Sequence, residues 1–237
     1  MKTVFLNRQE AGKKLAEKLT DYRDCSQAVV FGLPRGGVPV AYEIATSLNL
    51  PLDVCLVKKL SLPDNPEMAI SAIAEDALIH DRSCKLTIID RYYLQKDLNS
   101  SEIQAIATQA MAELRLRDRC YRNYRPTLQV KDKIIIVVDD GLATGLTMQA
   151  AIRALSQHQP QKIVVAIPVA SSEAISRLRS LANEIICLFV PNPLFAVGLW
   201  YENFNQVSDL EVCELLSAKK TIVCKESEKK MGFAGSC

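Results

Sequence analysis

The chain has 237 residues, 49% of them apolar and 24% charged, with 29 Lys and Arg against 27 Asp and Glu. This composition excludes wholesale disorder, and the length is ample for a sizeable core in one large domain or two small ones. A net charge of +2 excludes a dedicated nucleic-acid coat or polybasic anchor, and the uncharged run from Ile185 to Trp200, broken by Pro191 and Pro193, is too short to span a bilayer.

A charge precedes any signal-like apolar run at the N-terminus, which leads to the expectation of a cytoplasmic protein. The eight cysteines include no Cys-x-x-Cys, and only His80 and His158 could join them, so no zinc site is expected. Several cysteines sit in apolar runs, as in Val54-Cys55-Leu56, where a reduced thiol acts as a small hydrophobe.

In chain order, Asn7 can cap a first helix with Glu10 three residues on and Ala11, Leu15 and Leu19 at helical spacing. Ala28 to Leu33 is a short apolar run of strand formers that stops at Pro34-Arg35-Gly36-Gly37. Val38 to Leu48 reads as a helix with Pro39 in its first turn, and Pro51 introduces a strand from Leu52 to Val57, which completes a βαβ unit. The next stretch, with short apolar runs at Ala69 to Ala74, Ala77 to His80 and Leu86 to Ile89, predicts a mobile excursion or a small antiparallel ribbon. Ser100 or Ser101 can cap a long helix reaching about Tyr121.

Ile134 to Val138 is purely aliphatic and β-branched, the pattern of a central parallel strand covered on both faces. Thr144 or Thr147 can cap the helix that follows, to about Ser156. A strand from Ile163 to Val169, a helix from Ser172 to Leu181, a strand from Glu184 to Val190 and a last helix from about Ser208 to Leu216 complete the series. The order predicts an α/β fold with a twisted, mainly parallel sheet and helices on both faces.

Chemistry concentrates at Asp139-Asp140-Gly141-Leu142-Ala143-Thr144-Gly145-Leu146-Thr147. Ligands collect at the carboxyl ends of parallel strands, and here two carboxylates stand one loop away from backbone N–H groups and hydroxyls suited to a phosphate. The plain alternative is a strand-end turn whose acids cap the next helix, although capping needs one such residue and not two followed by Thr-Gly-x-Thr. No Gly-Lys-Ser/Thr ending is present, so this is not a Walker loop. Gly32-Leu33-Pro34-Arg35-Gly36-Gly37 offers bare backbone and a fixed charge, against the alternative of an ordinary Pro-Gly turn with a solvated Arg.

On these residues the chain resembles the type I phosphoribosyltransferases, and from Phe5 to Leu216 it is similar to a bacterial group of that family. Asn7-Arg8-Gln9-Glu10-Ala11-Gly12, Leu33 to Ala41, Asn65-Pro66-Glu67-Met68-Ala69-Ile70 and Asp139 to Gly145 carry the resemblance. It implies one domain over 1–217 with an excursion at about 59–127 and a hood at about 191–206; the tail at 218–237 lies outside the resemblance, and its end is expected to fray. The resemblance also implies a donor, phosphoribosyl pyrophosphate with Mg²⁺, and a nitrogenous acceptor of undefined identity, with no nucleic acid or membrane partner and room for a homodimer.

By the same resemblance Asp139 and Asp140 bind the ribose hydroxyls, and Gly141, Ala143, Thr144, Gly145, Leu146 and Thr147 surround the 5-phosphate. Pro34, Arg35, Gly36, Gly37 and Lys59 face the pyrophosphate, with a cis peptide between Pro34 and Arg35. Arg35 also serves catalysis by neutralising the leaving group. Lys58 stands where an Arg is expected, which weakens a phosphate role there. Ala143 stands where hypoxanthine-type enzymes carry an Asp, so Glu67, Glu75 and Asp76 are the candidate proton carriers, with Glu75 the chosen one, against the alternative of charges that only solvate a loop. Phe195 or Trp200 of the hood would stack on the acceptor, or else merely seal the sheet edge. Arg115, Arg117, Arg119, Arg122 and Arg125 read as a solvated helix face, some of them available to a lid. A non-catalytic sensor of the same donor is the alternative function, and no helix-turn-helix is evident for a DNA-binding repressor.

Overall fold

The computed structural model describes residues 4–62, 65–75, 84–87, 100–123 and 127–219, with backbone alone at 59–62, 65–75, 84–87 and 100–107. Asn7 caps the first helix, α1 (Arg8–Ala16), by accepting from the Glu10 N–H at 3.0 Å. The apolar run forms β1 (Ala28–Gly32), buried throughout, and α2 (Gly37–Ser47) follows with Pro39 in its first turn, where no N–H is missed.

The strand expected from Leu52 to Val57 is two strands. β2 (Leu52–Val54) ends the parallel unit, and β3 (Val57–Leu62) starts an antiparallel sheet with β4 (Asn65–Glu75) and β5 (Cys84–Thr87). That sheet is the ribbon expected for the excursion. The run Ala77 to His80 lies outside the described residues. Helix α3 (Ser100–Arg122) then returns the chain to the main body.

β6 (Ile134–Val138), α4 (Leu146–Ser156), β7 (Lys162–Val169), α5 (Ser172–Leu178) and β8 (Glu184–Phe189) follow, and the last helix, α6, runs over 209–219. α6 thus continues three residues past the expected end at Leu216, and Lys219 is buried at its end. The main sheet is five-stranded and parallel, in the order β2-β1-β6-β7-β8. Alternate residues of its strands point to opposite faces, as a two-residue period requires. Phe31, Ile135, Val137 and Val165 pack with α4 and α5 on one face, whereas Val30, Ile136, Val138 and Val164 pack with α1 and α2 on the other.

A third cluster joins Val38, Val54 and Leu56 to Leu114 and Tyr121 of α3 and to Val212 and Leu216 of α6. Under it lies a departure from the solvated arginine face. Arg122 is 2% exposed, and its guanidinium meets Asp53 at 3.1 Å, Asp118 at 2.5 Å and the Val54 carbonyl at 2.5 Å. Arg122 is a structural ion-pair residue; Arg125 lies outside the described residues.

Among the described residues, Cys25, Cys55, Cys120, Cys187 and Cys213 form no disulfide. Cys55 belongs to the core, and burial pushes the Cys187 thiol up to about 11. No described helix is long and apolar enough to cross a membrane.

Candidate functional site

After β1 the chain passes through α2 to β2 on one side, whereas β6 leads to β7 and β8 on the other. The strand order reverses between β1 and β6, and in an open parallel sheet the crevice above such a reversal is where ligands bind. Both motif segments emerge there. Gly32 and Val138 are paired at the ends of the two strands, and the Leu33 N–H donates to the Val138 carbonyl at 2.9 Å.

The 33–37 turn closes with the Gly37 N–H on the Leu33 carbonyl at 3.0 Å, and the Pro34–Arg35 peptide is cis, as expected. Its two glycines are explained by crowding. A Cβ on Gly37 would lie 2.7 Å from the Val138 carbonyl oxygen and 2.8 Å from the Asp139 Cα, and one on Gly36 would fall on the Asp140 carboxylate. Segments about 100 residues apart in sequence therefore form one continuous surface.

Beyond β6, the Asp140 N–H donates to the Asp139 carboxylate at 2.9 Å. Leu142 donates its N–H to Val169 at 2.9 Å, and the Ser171 hydroxyl, which also caps α5, donates to the Ala143 carbonyl at 2.6 Å. The expected Thr144 or Thr147 cap of α4 is replaced by Gly145, at φ 74°, and no side chain caps the helix. The first-turn N–H groups consequently have no intrahelical acceptor and no capping side chain. Thr144 is exposed, and Leu146 and Thr147 are half-buried beside it. A left-handed residue with a Cβ is strained, so Gly145→Ala is expected to lower stability by about 1–2 kcal/mol, read as a shift of the urea midpoint.

Asp140 is enclosed. Its carboxylate accepts from the Arg8 Nε at 2.8 Å, its side chain is 15% exposed, and its backbone carbonyl accepts from the Tyr201 hydroxyl at 2.6 Å. Burial pushes this carboxyl above the ordinary carboxylate range, and the Arg8 guanidinium works against that push. The hood closes on the same loop: a Cβ on Gly141 would run into the Val197 side chain. Trp200 is half-buried and packs on Phe189 with ring centroids 5.5 Å apart, whereas Phe195 is 78% exposed. The two proposed stacking residues therefore sit in different settings, one braced and one presented to solvent.

The Arg35 guanidinium lies 3.9 Å from the Asp209 carboxylate at the start of α6, and the Tyr121 hydroxyl donates to that same carboxylate. Burial and the neighbouring Asp209 both push the Tyr121 hydroxyl upward from its ordinary value. Lys58, where an Arg was expected, pairs with Glu113 of α3. Lys59 lies on β3, and Glu67 and Glu75 on β4, but their side chains are outside what the structure describes, as is all of Asp76.

Four residues at the site had no assigned role in the sequence: Arg8, Ser171, Tyr201 and Asp209. Arg8 stood inside a stretch that carries the resemblance, which was the available signal. The others are ordinary capping, aromatic and acidic residues whose partners only the fold supplies.

A family model described as "Phosphoribosyl transferase domain" matches residues 5–203. Curated proteins of Mycobacterium tuberculosis strains CDC 1551 and H37Rv, each named "Putative phosphoribosyl transferase", are 38% identical over 213 residues, covering 90% of this chain and 46% of each relative. The chain thus spans about half the length of these curated relatives. Among solved structures, the crystal structure of TT1426 from Thermus thermophilus is 40% identical, with a TM-score of 0.74, covering 90% of this chain and 97% of that one.

Proposed function

Because the chain belongs to the phosphoribosyl transferase family, we propose that it is an enzyme that transfers the phosphoribosyl group of phosphoribosyl pyrophosphate to a nitrogenous, nucleobase-like acceptor and releases pyrophosphate. The observation that carries this reading is the contact of the two motif loops at the strand-order reversal, where Gly37 lies against Val138 and Asp139. A strand-end turn that only capped α4 would not need a second glycine loop pressed against it.

In this reading the Asp139 and Asp140 segment takes the ribose, and the uncapped start of α4 with Thr144 and Thr147 takes the 5-phosphate, a negative group favoured at a helix N-terminus. The backbone of residues 34–37 and Arg35 receive the diphosphate. Departure of pyrophosphate leaves positive charge spread over C1 and the ring oxygen, so fixed positive charge on the leaving group lowers the barrier. Arg35 must exchange its 3.9 Å contact with Asp209 for the diphosphate, a small loss because the pair is partly exposed.

No group of three or more His, Cys, Asp or Glu among the described residues could hold a metal ion, whereas a diphosphate supplies the hard oxygen ligands that Mg²⁺ prefers. The fitting arrangement is Mg²⁺ carried on the donor, where it would neutralise leaving-group charge. Glu75 is the proposed proton carrier, and Phe195 and Trp200 the proposed acceptor contacts. A cytoplasmic setting agrees with cysteines that form no disulfide among the described residues.

Donor with Mg²⁺ at about 100 times its dissociation constant is expected to add about 2.7 kcal/mol of stability, and the Asp139→Asn/Asp140→Asn double variant to lose most of it. A melting curve unmoved by millimolar donor rejects the reading. Pyrophosphate and ribosylated product are then measured with purine, pyrimidine and nicotinate-like acceptors. Product lost in Arg35→Ala supports transfer; tight binding without product from any acceptor, unchanged in Glu75→Gln, points to a donor sensor.

A further inference from the structure

Arg8 occupies the first position of α1, the end of a helix where a cation is disfavoured by about 0.3–1 kcal/mol. Its side chain is nonetheless only 11% exposed and is committed to three partners in two distant segments. The Nε donates to the Asp140 carboxylate at 2.8 Å, an Nη donates to the Asn205 carbonyl at 2.8 Å, and the guanidinium carbon lies 3.8 Å from the centroid of the Phe204 ring. Phe204 stacks in turn on Tyr201 at 4.8 Å between centroids, and the Tyr201 hydroxyl donates to the Asp140 carbonyl at 2.6 Å.

Arg8, Asp140, Tyr201 and Phe204 therefore form a closed cycle in which each residue touches two others. The cycle fastens the start of α1, the loop after β6 and the hood together. The Asp140 carboxylate also lies in the space that a Gly36 side chain would fill, so its position bears on the 33–37 turn as well.

We propose that Arg8 is a positioning residue: it holds Asp140, and with it the loop after β6, in the place from which that loop serves the donor. This rests on the donor-binding reading above. Substitutions at Arg8 and Asp140 break the same cycle. A lysine ammonium keeps the charge that faces Asp140 but cannot also donate to the Asn205 carbonyl and stack on Phe204 at once, so it replaces Arg8 only in part. The buried Asp140 carboxyl, already pushed upward by its surroundings, loses its facing counter-charge when Arg8 is removed.

The test measures the affinity for phosphoribosyl pyrophosphate with Mg²⁺ by calorimetry, at a temperature where every variant is folded by circular dichroism. Arg8→Ala is expected to weaken binding roughly tenfold to a hundredfold, the scale of a displaced binding loop. Arg8→Lys should recover part of that loss. Asp140→Asn should add little in the Arg8→Ala background, because groups in one network are non-additive. If Arg8→Ala does not fold, Tyr201→Phe removes a single hydroxyl from the same cycle and is expected to weaken binding several-fold.

Wild-type binding together with Arg8→Ala, or in its place Tyr201→Phe, within twofold of wild type overturns the proposal. Multiplying effects of Arg8→Ala and Asp140→Asn overturn it too, as does an absence of any recovery with lysine. Failure of the wild type itself to bind donor removes the donor-binding reading and this proposal together, and so is distinguishable from the other outcomes.

Discussion

Arg122→Ala is expected to lower the unfolding free energy by about 3–5 kcal/mol, the cost of breaking a buried pair by removing one partner. Asp53 is 5% exposed on β2 and takes the Arg122 Nε at 3.1 Å, the Leu128 N–H at 3.0 Å and its neighbour Val54 N–H at 2.8 Å. Without the guanidinium its carboxylate keeps two amide donors and loses its buried counter-charge. The Val54 carbonyl loses its side-chain donor at the same time. For a chain of this length the loss corresponds to roughly 10 °C in Tm.

Arg122→Lys is expected to recover little, because the fork also serves Asp118 and the Val54 carbonyl. Replacing both members with apolar residues, as in Asp53→Leu with Arg122→Met, should cost less than Arg122→Ala alone, since the one carboxylate left without its partner, that of Asp118, is partly exposed. Urea unfolding measures all three. A loss below about 1 kcal/mol in Arg122→Ala would place this pair among ordinary surface contacts.

Gly37→Ala should weaken donor binding by roughly a hundredfold while the protein still folds, because the added carbon is opposed by backbone rather than by a side chain that could swing away. The Val138 carbonyl oxygen at 2.7 Å is already an acceptor for Leu33, and the Asp139 Cα at 2.8 Å is the base of the acid pair. Relief requires the 33–37 turn to separate from the end of β6, and that separation undoes the shared surface on which the donor reading rests. Calorimetry with phosphoribosyl pyrophosphate and Mg²⁺ reads the effect directly. A folded Gly37→Ala protein that binds within threefold of wild type would contradict the account of why glycine stands there.

The local pattern alone determined the parallel core and the place of the candidate site. Ile134 to Val138 is a strand with the bounds read from its aliphatic run, and Asn7 caps α1 as its side chain predicts. The two motif loops lie at strand ends because a glycine-bearing loop after an apolar run is a short-range signal. Burial periodicity and capping depend on neighbours a few residues away, so they are written within each segment.

Only the tertiary structure decided which groups meet across long separations. Arg8 and Asp140 are 132 residues apart, and although each stands in a stretch that carries the resemblance, neither neighbourhood points to the other as its partner. The Cys120 and Cys213 sulfurs, 93 residues apart in sequence, lie 3.6 Å apart because α6 packs along α3. Arg122 read as one more exposed arginine of α3 until Asp53 was found beneath it, and Gly145 displaced two good capping threonines because the turn into α4 needs a left-handed residue. A charged or polar side chain carries its chemistry in its own sequence position, but its free energy depends on the partner and the dielectric that the fold brings to it, and those come from other parts of the chain.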